Sequence, residues 1–134
     1  MKKKQPEIIV TPRTSFMLAE SDIDAQRFVW SYDITIANQS DEIVQLLNRF
    51  WHITDITGRI EEINGIGVVG LQPIIKPGKE FTYKSYCQLT TPQGTMEGHY
   101  GFQNLEDKHF EVIIPKFILS APSRMTKAFR SKLH

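Results

Sequence analysis

Alternation with a period of two dominates this chain. In "RFVWSYDITIAN", Phe28, Trp30, Tyr32, Ile34 and Ile36 fall on one face and Val29, Ser31, Asp33, Thr35 and Ala37 on the other. Side chains alternate sides along extended backbone, so this run predicts a half-buried strand. "EFTYKSYCQLTT" repeats the pattern with Phe81, Tyr83, Ser85, Cys87 and Leu89 together, and "MEGHYGF" with Met96, Gly98, Tyr100 and Phe102. "HFEVIIPKFIL" groups Phe110, Val112 and Ile114 before Pro115, which cannot donate to a ladder and marks an edge or a kink. "IIVTPRTSFML" predicts a first strand, placed at an edge by Pro12.

"IVQLLNRFWHITDIT" is extended but less regular, with Leu47, Trp51 and Ile53 sharing a face with Arg49. "RIEEI" predicts a short strand, with Ile60 and Glu62 on one side and Glu61 and Ile63 on the other. Turns are predicted at "NQSDE", at Gly58, at Pro77-Gly78, around Pro92 and Gly94, and at "NLEDKH". About seven strands spaced by turns predict an all-β antiparallel sandwich of fibronectin type III or immunoglobulin-like type. Only "RMTKAFRSKL" suits a short helix.

With 134 residues the chain is expected to be one domain, large enough to bury roughly two thirds of its unfolded surface. The lone cysteine, Cys87, excludes an intramolecular disulfide and a CxxC metal knuckle, so Trp30 and Trp51 are expected to anchor the core instead. "MKKKQPEIIV" lacks the apolar run and cleavage site of a secretory signal, and no apolar run approaches a membrane span. A cytoplasmic protein without membrane insertion is expected. The net charge is +1, but residues 123–134 hold Arg124, Lys127, Arg130 and Lys132 and no acid. They read as a frayed, solvated basic tail rather than a nucleic-acid contact.

Candidate chemistry centres on "NGIGVVGLQP", where Gly65, Gly67 and Gly70 spell G-x-G-x-x-G. A dinucleotide fingerprint needs a helix directly after it, and Pro73 and Pro77-Gly78 forbid one. The run therefore reads as a bend or bulge between strands, with Val68 and Val69 packing locally. The alternative is a phosphate- or nucleotide-binding protein that uses the Gly65–Gly70 loop as an anion nest of backbone N–H groups, aided by Arg49, Arg59 or Lys76. Cys87 lies among aromatics and reads as an inert small hydrophobe. Glu97 and His99 share a strand face at i, i+2 and form a weak metal candidate that lacks a third ligand. Asp55 falls in a turn, and Glu61-Glu62 and Glu106-Asp107 point to opposite faces, so no general acid–base pair is indicated.

The separated marks R-x-W-x-I-T-D, G-x-G-V-V-G-x-Q-P, P-G-x-x-F-x-Y, T-P-x-G-x-M-x-G-x-Y and I-P-x-F-x-L occur in order. Together they closely resemble the ApaG family, from about residue 10 to residue 122. The resemblance implies a fibronectin type III-like sandwich and a link to cobalt resistance and magnesium efflux, whence the alternative name CorD; no enzymatic activity is established for the family as a whole, and neither an enzyme nor a cofactor is expected. Related domains look like protein-binding modules, which implies a protein partner. Tyr86 departs from the family's small residue, and the tail lies outside the shared region. The organisation expected is a flexible N-terminus over 1–9, the domain over 10–122 and the basic tail over 123–134. The candidate interaction or anion-binding loop comprises Gly65, Gly67, Val68, Val69, Gly70 and Gln72, with Arg49 and Asp55 nearby. An exposed edge strand also suggests a homodimer.

Overall fold

The run at Phe28 becomes the middle of a three-stranded antiparallel sheet. The computed structural model describes residues 4–132. In that sheet β2 (Phe28–Asn38) lies between β1 (Ile8–Phe16) and β6 (Glu80–Leu89). The facing sheet has the order β4-β3-β7-β8, built from β3 (Val44–Asp55), β4 (Ile60–Ile66), β7 (Gln93–Asn104) and β8 (His109–Ser120). The two-residue β5 (Ile74–Ile75) also pairs with β3. Every pairing is antiparallel, and the two sheets face each other as a β-sandwich. β1 packs along β8 and closes one side, leaving β4 and β6 as the sheet edges on the other.

The alternation maps onto this frame directly. Phe28, Trp30, Tyr32, Ile34 and Ile36 are all buried, as are Tyr83, Cys87 and Leu89 from β6 and Met96, Tyr100 and Phe102 from β7. Trp30 and Trp51 both lie in the core; the Trp30 indole N–H donates to the Ser120 carbonyl at 3.1 Å, tying the sheets together. Trp51 meets Tyr32 edge-on at 5.5 Å.

Two bulges explain where the alternation breaks. Leu47 is an extra residue opposite β7, between the pairs Leu46↔Phe102 and Asn48↔Gly101. An inserted residue reverses which side chains point inward. Leu46 therefore faces the core together with Trp51 and Ile53, and Leu47 does not share their face as the sequence suggested. On β8 the irregularity falls at Pro115-Lys116, and inward positions change from Val112 and Ile114 to Phe117 and Leu119.

The termini differ from expectation. β1 begins at Ile8, inside the segment read as flexible, and Met1–Lys3 lie outside the described residues. Residues 123–132 are not frayed. They form α1 (Ser123–Lys132), whose Met125, Thr126 and Phe129 are buried while Arg124, Lys127 and Arg130 face solvent. Phe129 sets its ring edge-on to Phe28 at 5.6 Å. Leu133 and His134 lie outside the described residues. No helix among the described residues is long and apolar enough to cross a membrane.

Candidate functional site

The glycine run divides between a strand and a hairpin. Gly65 belongs to β4, opposite Arg49 on β3. The chain then leaves the sheet over residues 67–73 and returns to the same edge of β3 as β5. The excursion folds back on itself through a pair of backbone hydrogen bonds between Val68 and Leu71, of 2.8 and 2.9 Å. Its two central residues, Val69 and Gly70, have φ of 44° and 79°. Two successive left-handed residues make a type I′ turn, which suits Asn-Gly and is poorly suited to a β-branched residue. Gly67 is also left-handed, and a β-carbon there would stand 2.1 Å from the Leu71 carbonyl oxygen.

Hydrogen bonds to β3 hold the excursion. The bulge aims the Leu47 carbonyl outward, where it accepts from the Gly67 N–H at 2.8 Å and the Gln72 side-chain amide at 2.9 Å. Arg49 donates to the carbonyls of Ile66 and Gly67 at 3.2 and 2.8 Å. Gln45 donates to the Gln72 carbonyl at 3.2 Å. Val68 enters the core with no residual exposure, whereas Val69 at the tip is 53% exposed. The expectation that both valines pack locally thus holds for Val68 alone. Ile66, Leu71 and Ile74 are likewise more than half exposed. A shallow groove of about 460 Å³ beside the excursion is lined by Asn48, Phe50, Asn64, Ile66, His99 and Glu111.

Arg49 links this surface to the interior. Its guanidinium lies over Gly65 and close enough to Tyr32, Tyr83 and Tyr100 to favour their ionised forms, but burial outweighs it and pushes all three phenols up. The Tyr83 and Tyr100 hydroxyls bond each other at 2.5 Å.

The structure does not group Asp55 with these residues. Asp55 caps the opposite end of the β3–β4 hairpin, where its Oδ1 accepts from the Thr57 N–H, the Thr57 hydroxyl and the Arg59 N–H. It lies six positions along the strand from Arg49, roughly 20 Å. Desolvation pushes its carboxyl up, but those hydrogen bonds together outweigh it and hold it below the ordinary aspartate value. Beside it Ile53, Asp55, Arg59, Glu61, Gln88 and Leu89 line a cavity of about 140 Å³. Small-molecule sites are usually larger, ~300 Å³ or more.

Glu97 and His99 do share the solvent face of β7, but other groups engage the imidazoles there. His99 stacks on Phe50 at 5.1 Å and stands 3.6 Å from Glu111; His52, opposite Glu97, stands 3.7 Å from Glu62. Among the described residues no three His, Cys, Asp or Glu side chains converge as a metal site would require. Burial pushes the Cys87 thiol up to about 12, so it is not a thiolate near neutrality.

The sequence did not show that the bulged Leu47 carbonyl anchors the hairpin. Its only trace was the broken alternation between Leu47 and Trp51.

Comparison with known proteins adds a consistent picture. The model of the ApaG domain matches residues 18–104. The protein ApaG of Mesorhizobium japonicum is 50% identical over 115 residues, 86% of this chain and 88% of its own length. That of Agrobacterium fabrum is 46% identical over 119 residues, 89% and 92% of the two chains. A crystal structure of an ApaA protein from Bordetella pertussis superposes with a TM-score of 0.86 at 38% identity, covering 90% of this chain and 98% of its own.

Proposed function

The chain belongs to the ApaG domain family, and on that premise we propose that it is a non-enzymatic binding module that engages a protein partner through the glycine hairpin. The observation that carries this reading is the exposure of Val69 and Leu71 on the excursion and of Ile66 and Ile74 on the strand ends that flank it. Apolar side chains gathered at one exposed place mark interaction surfaces more often than scattered ones do. The tip residue adds weight. Val69 holds a left-handed backbone conformation costly for a β-branched side chain, and its side chain stays outside the core. Strain kept at an exposed position is a reason to look for function there.

The phosphate-binding alternative draws less support from the geometry. The N–H groups of Gly67, Val68 and Leu71 already bond backbone carbonyls, and Arg49 donates to carbonyls of the hairpin itself. A nest needs successive N–H groups free to converge on the anion.

The resemblance extends the proposal to divalent-cation homeostasis, with the module acting on ion efflux through its partner rather than by holding the ion. The test pairs immobilised full-length protein with variants Leu71→Ser and Val69→Asn, which remove apolar surface and keep the turn. A partner captured by the unaltered protein and lost with both variants supports the reading. Restoration of cobalt tolerance in cells lacking the protein should follow the same order. Equal capture and equal tolerance by all three proteins, or chemical shift changes at residues 65–72 on adding pyrophosphate, would overturn it.

A further inference from the structure

The free edge of β4 is self-complementary in one register, and we propose that two copies of this chain pair there, edge to edge, about a two-fold axis at Ile63. The hydrogen-bonding parity of β4 fixes which residues offer their backbone. The Asp55 N–H donates to the Arg59 carbonyl and the Gly67 N–H to the Leu47 carbonyl, so odd-numbered residues of β4 bond inward to β3. In an antiparallel ladder the alternate residues then point their N–H and C=O groups the other way. Ile60, Glu62, Asn64 and Ile66 therefore present theirs along the open edge. Such an edge is a template for another strand.

Antiparallel pairing centred on Ile63 matches this parity. Ile60 comes opposite Ile66 of the partner subunit, and Glu62 opposite Asn64 of the partner subunit. All four positions that offer outward backbone groups meet one another, as hydrogen-bonded pairs. Ile60 and Ile66 are 54% and 78% exposed, and each would cover the other. The next two-fold registers fit less well. Centring on Glu62 opposes two carboxylates, and centring on Asn64 sets Glu62 against Ile66. Like charges directly opposite destabilise a sheet pair. The two glutamates thus act as a filter on register.

The inward side of β4 is complementary as well. Pairing at Ile63 places Glu61 of the partner subunit opposite Gly65, the residue over which the Arg49 guanidinium lies. The glycine leaves room for that guanidinium, and the incoming carboxylate would meet it. The same pairing is made twice, once in each direction, as an isologous interface demands. It also sets the Asp55 turn of one copy beside the glycine hairpin of the other, joining in the dimer what one chain keeps apart. This interface shares only Ile66 with the apolar hairpin surface and leaves Val69, Leu71 and Ile74 open, so its failure would leave the partner reading standing.

Sedimentation of the full chain across the micromolar range tests the pairing. The unaltered protein should show concentration-dependent dimerisation. Asn64→Lys, opposite Glu62 of the partner subunit, should tighten it about three- to tenfold, and Asn64→Glu should loosen it by a similar factor. Ile63→Cys should form a disulfide-linked dimer on mild oxidation, since facing residues at a non-hydrogen-bonded position lie ~4.5 Å apart between α-carbons. Glu62→Cys, which does not face itself, should not. A monomer at every concentration for both the unaltered protein and Asn64→Lys would overturn the proposal. So would a dimer indifferent to both Asn64 substitutions, or equal cross-linking of the two cysteine variants. The Asn64 variants change an exposed side chain, so the test stands even if Ile63→Cys folds poorly.

Discussion

The guanidinium of Arg49 lies across the α-carbon of Gly65, within 2.5 Å of where a β-carbon would stand. Gly65→Ala must therefore push Arg49 off the carbonyls of Ile66 and Gly67, at a cost of about 1 kcal/mol for hydrogen bonds in a partly exposed place. In an Arg49→Ala background the same alanine should be neutral or stabilising, because alanine in a strand loses less chain entropy than glycine. Urea unfolding of the two single variants and the double variant measures that reversal of sign. Gly67→Ala should be worse than either single change, by about 2–3 kcal/mol, because its β-carbon meets backbone and its φ is 64°.

Val69→Asn should stabilise the protein. Asparagine tolerates the left-handed conformation at the first centre of a type I′ turn far better than valine, and the valine side chain is mostly exposed. The expected gain is about 1 kcal/mol, or roughly 3–5 °C in Tm. Thermal unfolding followed by circular dichroism reads it. A gain in stability joined to a loss of partner capture would separate the turn's role in recognition from its role in folding.

Phe129→Ala should cost about 3 kcal/mol, since it empties a buried ring site against Phe28 at the end of the sandwich. Arg130→Ala, one residue on and facing solvent, should change stability by less than about 0.5 kcal/mol. The two midpoints in urea distinguish a docked helix from a solvated tail.

Acid should selectively weaken the Asp55 turn. The folded carboxyl titrates below its unfolded value, so its contribution is present above the unfolded pKa and is lost as pH falls through the folded one. Asp55→Ala should cost about 0.5–1 kcal/mol at neutral pH, discounted for exposure, and the gap to the unaltered protein should narrow as pH falls below the ordinary aspartate value. Unfolding free energies measured from pH 7 downward give the curve.

How much of this was legible in the sequence depended on whether a residue's neighbours in space were also its neighbours in register. Phe28 to Ile36 announced their strand because every second side chain is apolar and nothing interrupts the count. Leu46 and Leu47 could not be assigned, because only the paired strand shows which residue is the extra one. Arg49 and Asp55 looked like one site because both flank the same hairpin, yet a strand converts six residues of sequence into a long separation. Val68 and Val69 are adjacent and chemically identical. Two left-handed residues send one into the core and the other into water, which no periodicity encodes. The helix was readable from its pattern, but Met125 and Phe129, one turn apart, also signalled its docking, and the surrounding charge hid them.

The ApaG match covers residues 18–104, yet β1, β8 and α1 lie wholly outside it. Those elements supply Val10, Val112, Ile114, Leu119, Met125 and Phe129 to the interior. A fragment cut to the matched span would strip an outer strand from each sheet and uncap one end of the sandwich. The span matched by the family model is therefore narrower than the packed interior, and a minimal version of this protein has to be cut by the packing.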